Sequence, residues 1–190
     1  MGDIWDQLAR YRKVKTLPDG SKLLLRPLTK DDKQALVDLF ARATKEDLAY
    51  FRDDAGDPAV VEGWVDNLNL KEVFPLVAIV DDKIVGDATL HFRKRYHRHL
   101  AWVRIFLDRA YRRRGIGTLM LRSLIEIAQQ LGLQQLYIEV VSTQHEVIKA
   151  LEEQGFKPEV TLRDYFMTSD GILLDMVVLK RQLVERSGEF

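Results

Sequence analysis

The stretch with the clearest chemistry is Arg112-Arg113-Arg114-Gly115-Ile116-Gly117. Its glycines let the backbone come close to a bound group, and its three arginines offer charge-assisted hydrogen bonds to an anion. An apolar run, Leu100–Leu107, precedes it and reads as a strand. A helical pattern follows, with Leu119, Met120, Leu124, Ile125, Ala128 and Leu131 on one side and Gly132 at its end. A glycine loop between a strand and a helix N-terminus gathers unpaired N–H groups and the positive end of the helix dipole, a setting suited to a pyrophosphate. A nucleoside-triphosphate loop would need Gly-Lys-Ser/Thr at its end, which is absent. A dinucleotide fingerprint would need a third glycine where Met120 stands. Coenzyme A remains as a ligand class, beside the plainer alternative of a structural turn rich in glycine and arginine.

The elements that must position this loop follow from the pattern along the 190 residues. A short amphipathic helix is expected within 2–13, then a turn at Pro18-Asp19-Gly20 and a strand over Lys22–Arg26. Thr29 caps a helix carrying Leu36, Leu39, Phe40 and Ala43; Asp57-Pro58 opens another carrying Val60, Val61, Trp64, Val65 and Leu68. Phe74–Val80 and Lys83–Phe92 form a hairpin about Asp81-Asp82. After the long helix come a strand over Gln135–Val141 and a helix from a Thr143/Glu146 capping box to Gln154. Strands near Val160–Met167 and Ile172–Leu179 follow, joined by a turn at Asp170-Gly171. The order is that of a mixed α/β domain, antiparallel first and βαβ afterwards.

Composition narrows the possibilities. There is no cysteine, which excludes disulfides, thiolate metal sites and a cysteine nucleophile. Lysine plus arginine equals aspartate plus glutamate, 29 each, so a dedicated nucleic-acid binder is not expected. No membrane span and no signal pattern is apparent, and a cytoplasmic location is expected. Charge is nonetheless segregated. His91–Arg114 holds nine basic residues against Asp108, net +8; Lys45–Asp82 holds ten acids against three bases, net −7. Either both are solvated faces, or an anion site lies beside a cation site.

Arg-x-x-Gly-x-Gly between strand and helix resembles the acyl-CoA site of the GNAT N-acetyltransferase superfamily. Ile105-Phe106-Leu107-Asp108 resembles the family's fourth strand, and Ala150-Leu151-Glu152-Glu153-Gln154-Gly155-Phe156 resembles the end of its next helix. Asp170-Gly171 with Asp175-Met176 resembles its closing hairpin, so the similarity runs from about Lys22 to Leu183. Ile138-Glu139-Val140 and Arg163-Asp164-Tyr165-Phe166 resemble the branch that acetylates protein amines. Leu17-Pro18-Asp19-Gly20 through Arg26-Pro27-Leu28 resembles the opening of bacterial protein-lysine acetyltransferases.

This resemblance implies a GNAT-like, mostly antiparallel mixed sheet flanked by helices, with a βαβ acyl-CoA unit over 21–183. An N-terminal extension covers 1–20 and a C-terminal tail 184–190. It implies acetyl-CoA as co-substrate, no metal, and direct transfer to a primary amine in a ternary complex. The acceptor is a protein lysine or N-terminus, with a polyamine, amino acid or aminoglycoside, or a non-catalytic acyl-CoA sensor, as alternatives. Neither nucleic acid nor membrane is an expected partner; a homodimer is possible. Backbone groups of Ile105, Phe106 and Leu107 are implied to pair with the pantetheine arm, and Gln144 to bond it. Arg112, Arg113, Arg114, Gly115, Ile116, Gly117 and Thr118 are implied to hold the pyrophosphate. Glu139 is the implied general base, with His91, His97 and His99 as alternatives. Such a base matters most for lysine, whose side chain at pKa ~10.4 is neutral about once in 2,500 molecules at pH 7. Leu151 stands where the family supplies a tyrosine acid, leaving water, Tyr165 or Tyr137 for that task. The acidic stretch is implied to border the acceptor cleft and to attract a cationic amine.

Overall fold

A computed structural model describes residues 3–51, 53–168 and 170–184. Apart from Val184, the tail assigned to 184–190 lies outside the described residues. The described strands form one sheet of eight, in the order β1-β2-β3-β4-β5-β6-β8-β7. They are β1 (Lys13–Thr16), β2 (Lys22–Pro27), β3 (Val73–Val80), β4 (Lys83–Phe92), β5 (Leu100–Leu107), β6 (Gln135–Val141), β7 (Lys157–Met167) and β8 (Leu173–Gln182). All neighbours are antiparallel except β5 and β6.

Local chemistry explains most of this. Asp81 and Asp82 both take left-handed conformations (φ 49° and 59°), the two-residue turn whose twist suits a hairpin, and so β3 returns directly as β4. The β5–β6 connection instead runs through a helix, and a helical crossover brings the second strand back parallel to the first. That helix, α5 (Ile116–Gln130), lays Ile116, Met120, Leu124, Ile127 and Ala128 on one sheet face. Among the described residues, beside three short 3-10 turns, four further α-helices and one helical turn accompany the sheet: α1 (Ile4–Ala9), α2 (Lys33–Ala41), α3 (Lys45–Leu48), α4 (Pro58–Asp66) and α6 (His145–Glu153). Leu8 of α1 and Leu151 of α6 share the α5 core, whereas α2 and α4 cover the opposite face around Phe40, Val61, Val65 and Phe106.

Two expectations need correction. The helix expected within 2–13 is only Ile4–Ala9; Lys13–Thr16 is an edge strand paired with β2. Val14 is largely exposed, so this strand is held by ladder bonds and not by burial, and apolar spacing carries no trace of it. The segment set apart as an extension thus supplies a strand, and it adds Leu8 and Leu17 to the core. Second, Thr143 and Glu146 form no capping box: Gln144 is the N-cap of α6 without a side-chain bond, and Glu146 reaches Arg113 instead.

No described helix is long and apolar enough to cross a membrane. Among the described residues no three metal-ligating side chains come together.

Candidate active site

The site begins as a fault in the sheet. β5 pairs with β6 only where Leu100, Ala101 and Trp102 face Gln135, Leu136 and Tyr137. Beyond that point β5 stays paired with β4 as far as Leu107, and β6 stays paired with β8 as far as Val141. The two strands therefore part inside the sheet and leave a wedge between them. Asp108 N–H donates to Val85 O and Arg93 N–H to Leu100 O, so even-numbered β5 residues direct their backbone groups at β4. By strand alternation, Val103, Ile105 and Leu107 direct theirs into the wedge. Phe106 spends its backbone on β4, which separates it from the other two residues expected to pair with a pantetheine arm. The Leu107 carbonyl accepts from Arg112 Nε at 2.9 Å.

The glycine loop closes the wide end of the wedge. Gly115 sits at φ 77° as N-cap of α5 and offers no side chain to the first turn. The first backbone bond of the helix is Leu119 N–H to Gly115 O, which leaves the N–H groups of Ile116, Gly117 and Thr118 without helical partners. A Cβ on Gly117 would meet only Leu107 Cδ2, at 4.0 Å. Packing within the chain does not demand glycine there, and glycine in a helix costs about 0.5–1 kcal/mol against alanine. What the missing side chain secures is open space over three unpaired donors, and this fits a phosphate group. A cavity of about 430 Å³ adjoins the loop, lined among others by Lys15, Arg114, Gly115, Thr118 and Arg122.

The three arginines are not equivalent. Arg112 donates to Asp47 Oδ1 at 2.9 Å, and Arg109 donates to Asp47 Oδ2 at 2.7 Å. Burial raises the Asp47 carboxyl, but the bonds from Arg112 and Arg109 outweigh it and hold it below the usual carboxylate range. Arg112 thus braces the loop against α3. Arg114 pairs with Asp19 at 2.8 Å and lies over the Tyr111 ring, while Arg113, at φ 61°, meets Glu146 only at an exposed 3.3 Å contact.

Ion pairs join parts of the two oppositely charged stretches. Asp47, Glu72 and Asp108 of the two segments bind Arg109 and Arg112, Lys94, and Arg42 respectively. The basic run is divided by the length of β5: Arg95, His97 and Arg98 occupy the turn before the strand, and Arg112–Arg114 the loop after it. His97 and His99 therefore lie at the far end from the loop. Asp54 and Asp57 remain exposed, engaged in a local turn and in the α4 cap.

On the face covered by α2 and α4, strand alternation lines up Asp87, Thr89 and His91 of β4, Trp102, Arg104 and Phe106 of β5, and Tyr137 and Glu139 of β6. Thr89 Oγ1 and His91 Nε2 are 2.9 Å apart, and Tyr137 donates to Gln135. Glu139 is half-buried on the β6 side of the wedge, and Gln144 stands at the wedge's mouth where β6 gives way to α6. Leu151 is buried in the α5 core and Tyr165 is exposed on β7. Asp87 was not legible as a site residue. Its signal was a lone charge in the apolar strand Ile84–Leu90. Its Oδ1 is shut off from solvent with no hydrogen-bond partner, and burial pushes the carboxyl up to about 7.

A split parallel strand pair beside an uncapped, glycine-opened helix N-terminus can receive an extended arm that ends in phosphates. Residues 34–156 match the acetyltransferase (GNAT) family, and the chain belongs to it. It is 33% identical over 67 residues to the [ribosomal protein bS18]-alanine N-acetyltransferase of Escherichia coli K12. That match spans 35% of this chain and 45% of the relative. The ribosomal-protein-alanine N-acetyltransferase structure from Brucella melitensis is 26% identical with a TM-score of 0.74, covering 83% of this chain and 98% of that one. A structure from Salmonella typhimurium with its cofactor acetyl-CoA superposes with a TM-score of 0.73 at 18% identity, over 88% and 98% of the two chains; it shows the shared fold.

Proposed function

We propose that this enzyme transfers the acetyl group of acetyl-CoA to a primary amine of a protein, by direct attack in a ternary complex. The observation that carries the reading is the wedge between β5 and β6, open beside the unpaired N–H groups of Ile116, Gly117 and Thr118. The free edge of β5 at Ile105 and Leu107 receives an extended arm as a neighbouring strand would, and an N–H there polarises the acyl carbonyl. Backbone donors from Arg113 to Thr118 hold the pyrophosphate, with Arg112 fixing the loop and Gln144 bonding the arm. Glu139 meets the amine from the β6 side. With no cysteine in the chain, acyl transfer needs no thioester intermediate on the protein.

The protein acceptor is supported by the similarity to ribosomal-protein alanine N-acetyltransferases. It is also supported by the exposed acidic loop at Asp53, Asp54 and Asp57, which draws cations toward the α2/α4 face. The test is calorimetric titration with acetyl-CoA, using CoA and NAD as comparators. Mass spectrometry of an alanine-initiated peptide, a lysine peptide and spermidine follows. Micromolar binding lost in Gly117→Glu without unfolding, and peptide acetylation ahead of spermidine, is the expected result. Folded protein that binds neither acetyl-CoA nor CoA would overturn the reading.

A further inference from the structure

A buried carboxylate normally has a cation or several N–H donors around it, because an ionised group taken out of water without partners is expensive. Asp32 in this chain obeys the rule and Asp87 does not. The residue retains partial access to solvent, yet Oδ1 has none and accepts no hydrogen bond. The two cross-strand neighbours of Asp87, Val77 and Phe106, both belong to the apolar cluster under α2 and α4. That cluster is unusually aromatic. Phe106 stacks on Phe40 at 5.1 Å and meets Phe51 edge-on at 5.6 Å, and Phe40 meets Trp64 at 5.4 Å. The rings pack on one another, with Phe40 and Phe106 almost wholly buried, so Asp87 stands at the edge of a dry aromatic wall that disfavours its charged form. Asp87 lies one strand spacing from β5 and two, ~9.6 Å, from an arm seated in the wedge, with Phe106 between them in the row, a gap that the acceptor's stem and a short relay of waters cross together.

We infer that Asp87 is a catalytic residue of the acceptor subsite: its carboxylate receives the incoming ammonium and takes its proton, so that the amine attacks as a neutral nucleophile. This rests on the acetyl-transfer reading above and deepens it. The ammonium gives one proton to Asp87, which passes it to water. The nitrogen–acyl bond then forms and the acyl–sulfur bond breaks. The second nitrogen proton ends on the departing thiolate, giving amide and free thiol. A carboxyl near 7 suits that exchange at neutral pH, since a base works best with its pKa close to the working pH. The other charged or titratable groups on this face of the sheet around it are His91 on its own strand, Arg26 on β2, which is bound to Asp32, Arg104 on β5, and Tyr137 and Glu139 on β6. Arg42, the C-cap of α2, donates to Ile84 O nearby, and α4 turns Val61 and Val65 to the same cluster. Glu139 and His91 already have partners, and so does Arg104. Asp87 Oδ1 has none.

The experiment compares two amines of different charge, each judged by its own ratio of variant to wild type. An alanine-initiated peptide is largely a cation at neutral pH; methoxyamine is already neutral there. Thiol release is followed directly, because the chain has no cysteine to interfere. Asp87→Asn is expected to lower kcat/KM for the peptide by on the order of 10²–10⁴. It should lower kcat/KM for methoxyamine by less than about tenfold and leave acetyl-CoA affinity within about twofold of wild type. Formate is expected to restore part of the peptide activity to Asp87→Ala. Equal losses on both amines would make Asp87 merely structural and overturn the proposal, as would no loss on either. Should Asp87→Asn fail to fold, the Asp87→Ala rescue decides: no response to formate overturns it. Wild-type protein that binds acetyl-CoA but acetylates no amine would overturn the transfer reading itself, a result distinct from an active enzyme indifferent to Asp87.

Discussion

Asp32 and Asp87 are two carboxylates on the same side of the sheet, and they have opposite fates. At the corner between β2 and α2, Asp32 accepts from both Arg26 Nη atoms at 2.6 and 2.7 Å, and from Thr29 N and Oγ1 at 2.8 Å each. Burial raises this carboxyl, but the Arg26 and Thr29 bonds prevail and hold it below the usual range. On β4, Asp87 has burial without compensation and moves the other way, to about 7. The first network is closed and has no capacity for a ligand. The second is open: Oδ1 accepts nothing from the chain, and burial of the carboxyl goes uncompensated. The difference separates a carboxylate that builds the fold from one held ready for chemistry.

Stability measurements break or sharpen this contrast. Asp32→Ala strips a half-buried arginine of its partner and is expected to cost about 3 kcal/mol in urea denaturation at neutral pH. The stabilisation from Asp32 is present above its unfolded pKa and lost as pH falls through its lowered folded value, so the variant differs least in acid. Asp87 has the reverse sign. Between the unfolded value of ~3.9 and the folded value of about 7, the unfolded chain releases its proton and the native one keeps it. Native stability therefore falls as pH rises through that window, by up to ~4 kcal/mol in all. Asp87→Asn is expected to be more stable than wild type at about pH 8 and nearly equal to it near pH 4, which denaturation at the two pH values checks. An Asp87→Asn protein less stable at the higher pH would show that the carboxylate has a partner after all.

Smaller effects test the donor side. Asp47→Ala releases Arg109 and Arg112 and is expected to weaken acetyl-CoA binding about fivefold, roughly 1 kcal/mol, by calorimetry. Smallest is Arg113→Ala: its contact with Glu146 is 85% and 88% exposed on the two side chains, and the denaturation midpoint should not move.

Much of this was legible residue by residue. β4, β5 and β6 have the limits expected from alternating and continuous apolar runs, and the glycine loop lies between strand and helix as its composition required. β1 was not legible, because a four-residue edge strand of lysine, valine and threonine is defined by its partner β2 and buries almost nothing. The Thr143/Glu146 capping box failed since Glu146 had a competing partner, Arg113, 33 positions away. The pairing of Asp47 was hidden for the same reason: it lies 62 and 65 positions from the arginines it binds.

The sequence alone determined the α/β class, the glycine-arginine loop and the resemblance to the GNAT superfamily, because these depend on local periodicity and on residues adjacent in the chain. Tertiary structure decided which β5 residues face the wedge, which arginine is braced and which carboxylate is left without a partner. Those properties belong to pairs of residues on different strands and helices, and a hydrogen bond that is not made leaves no mark on the sequence around it.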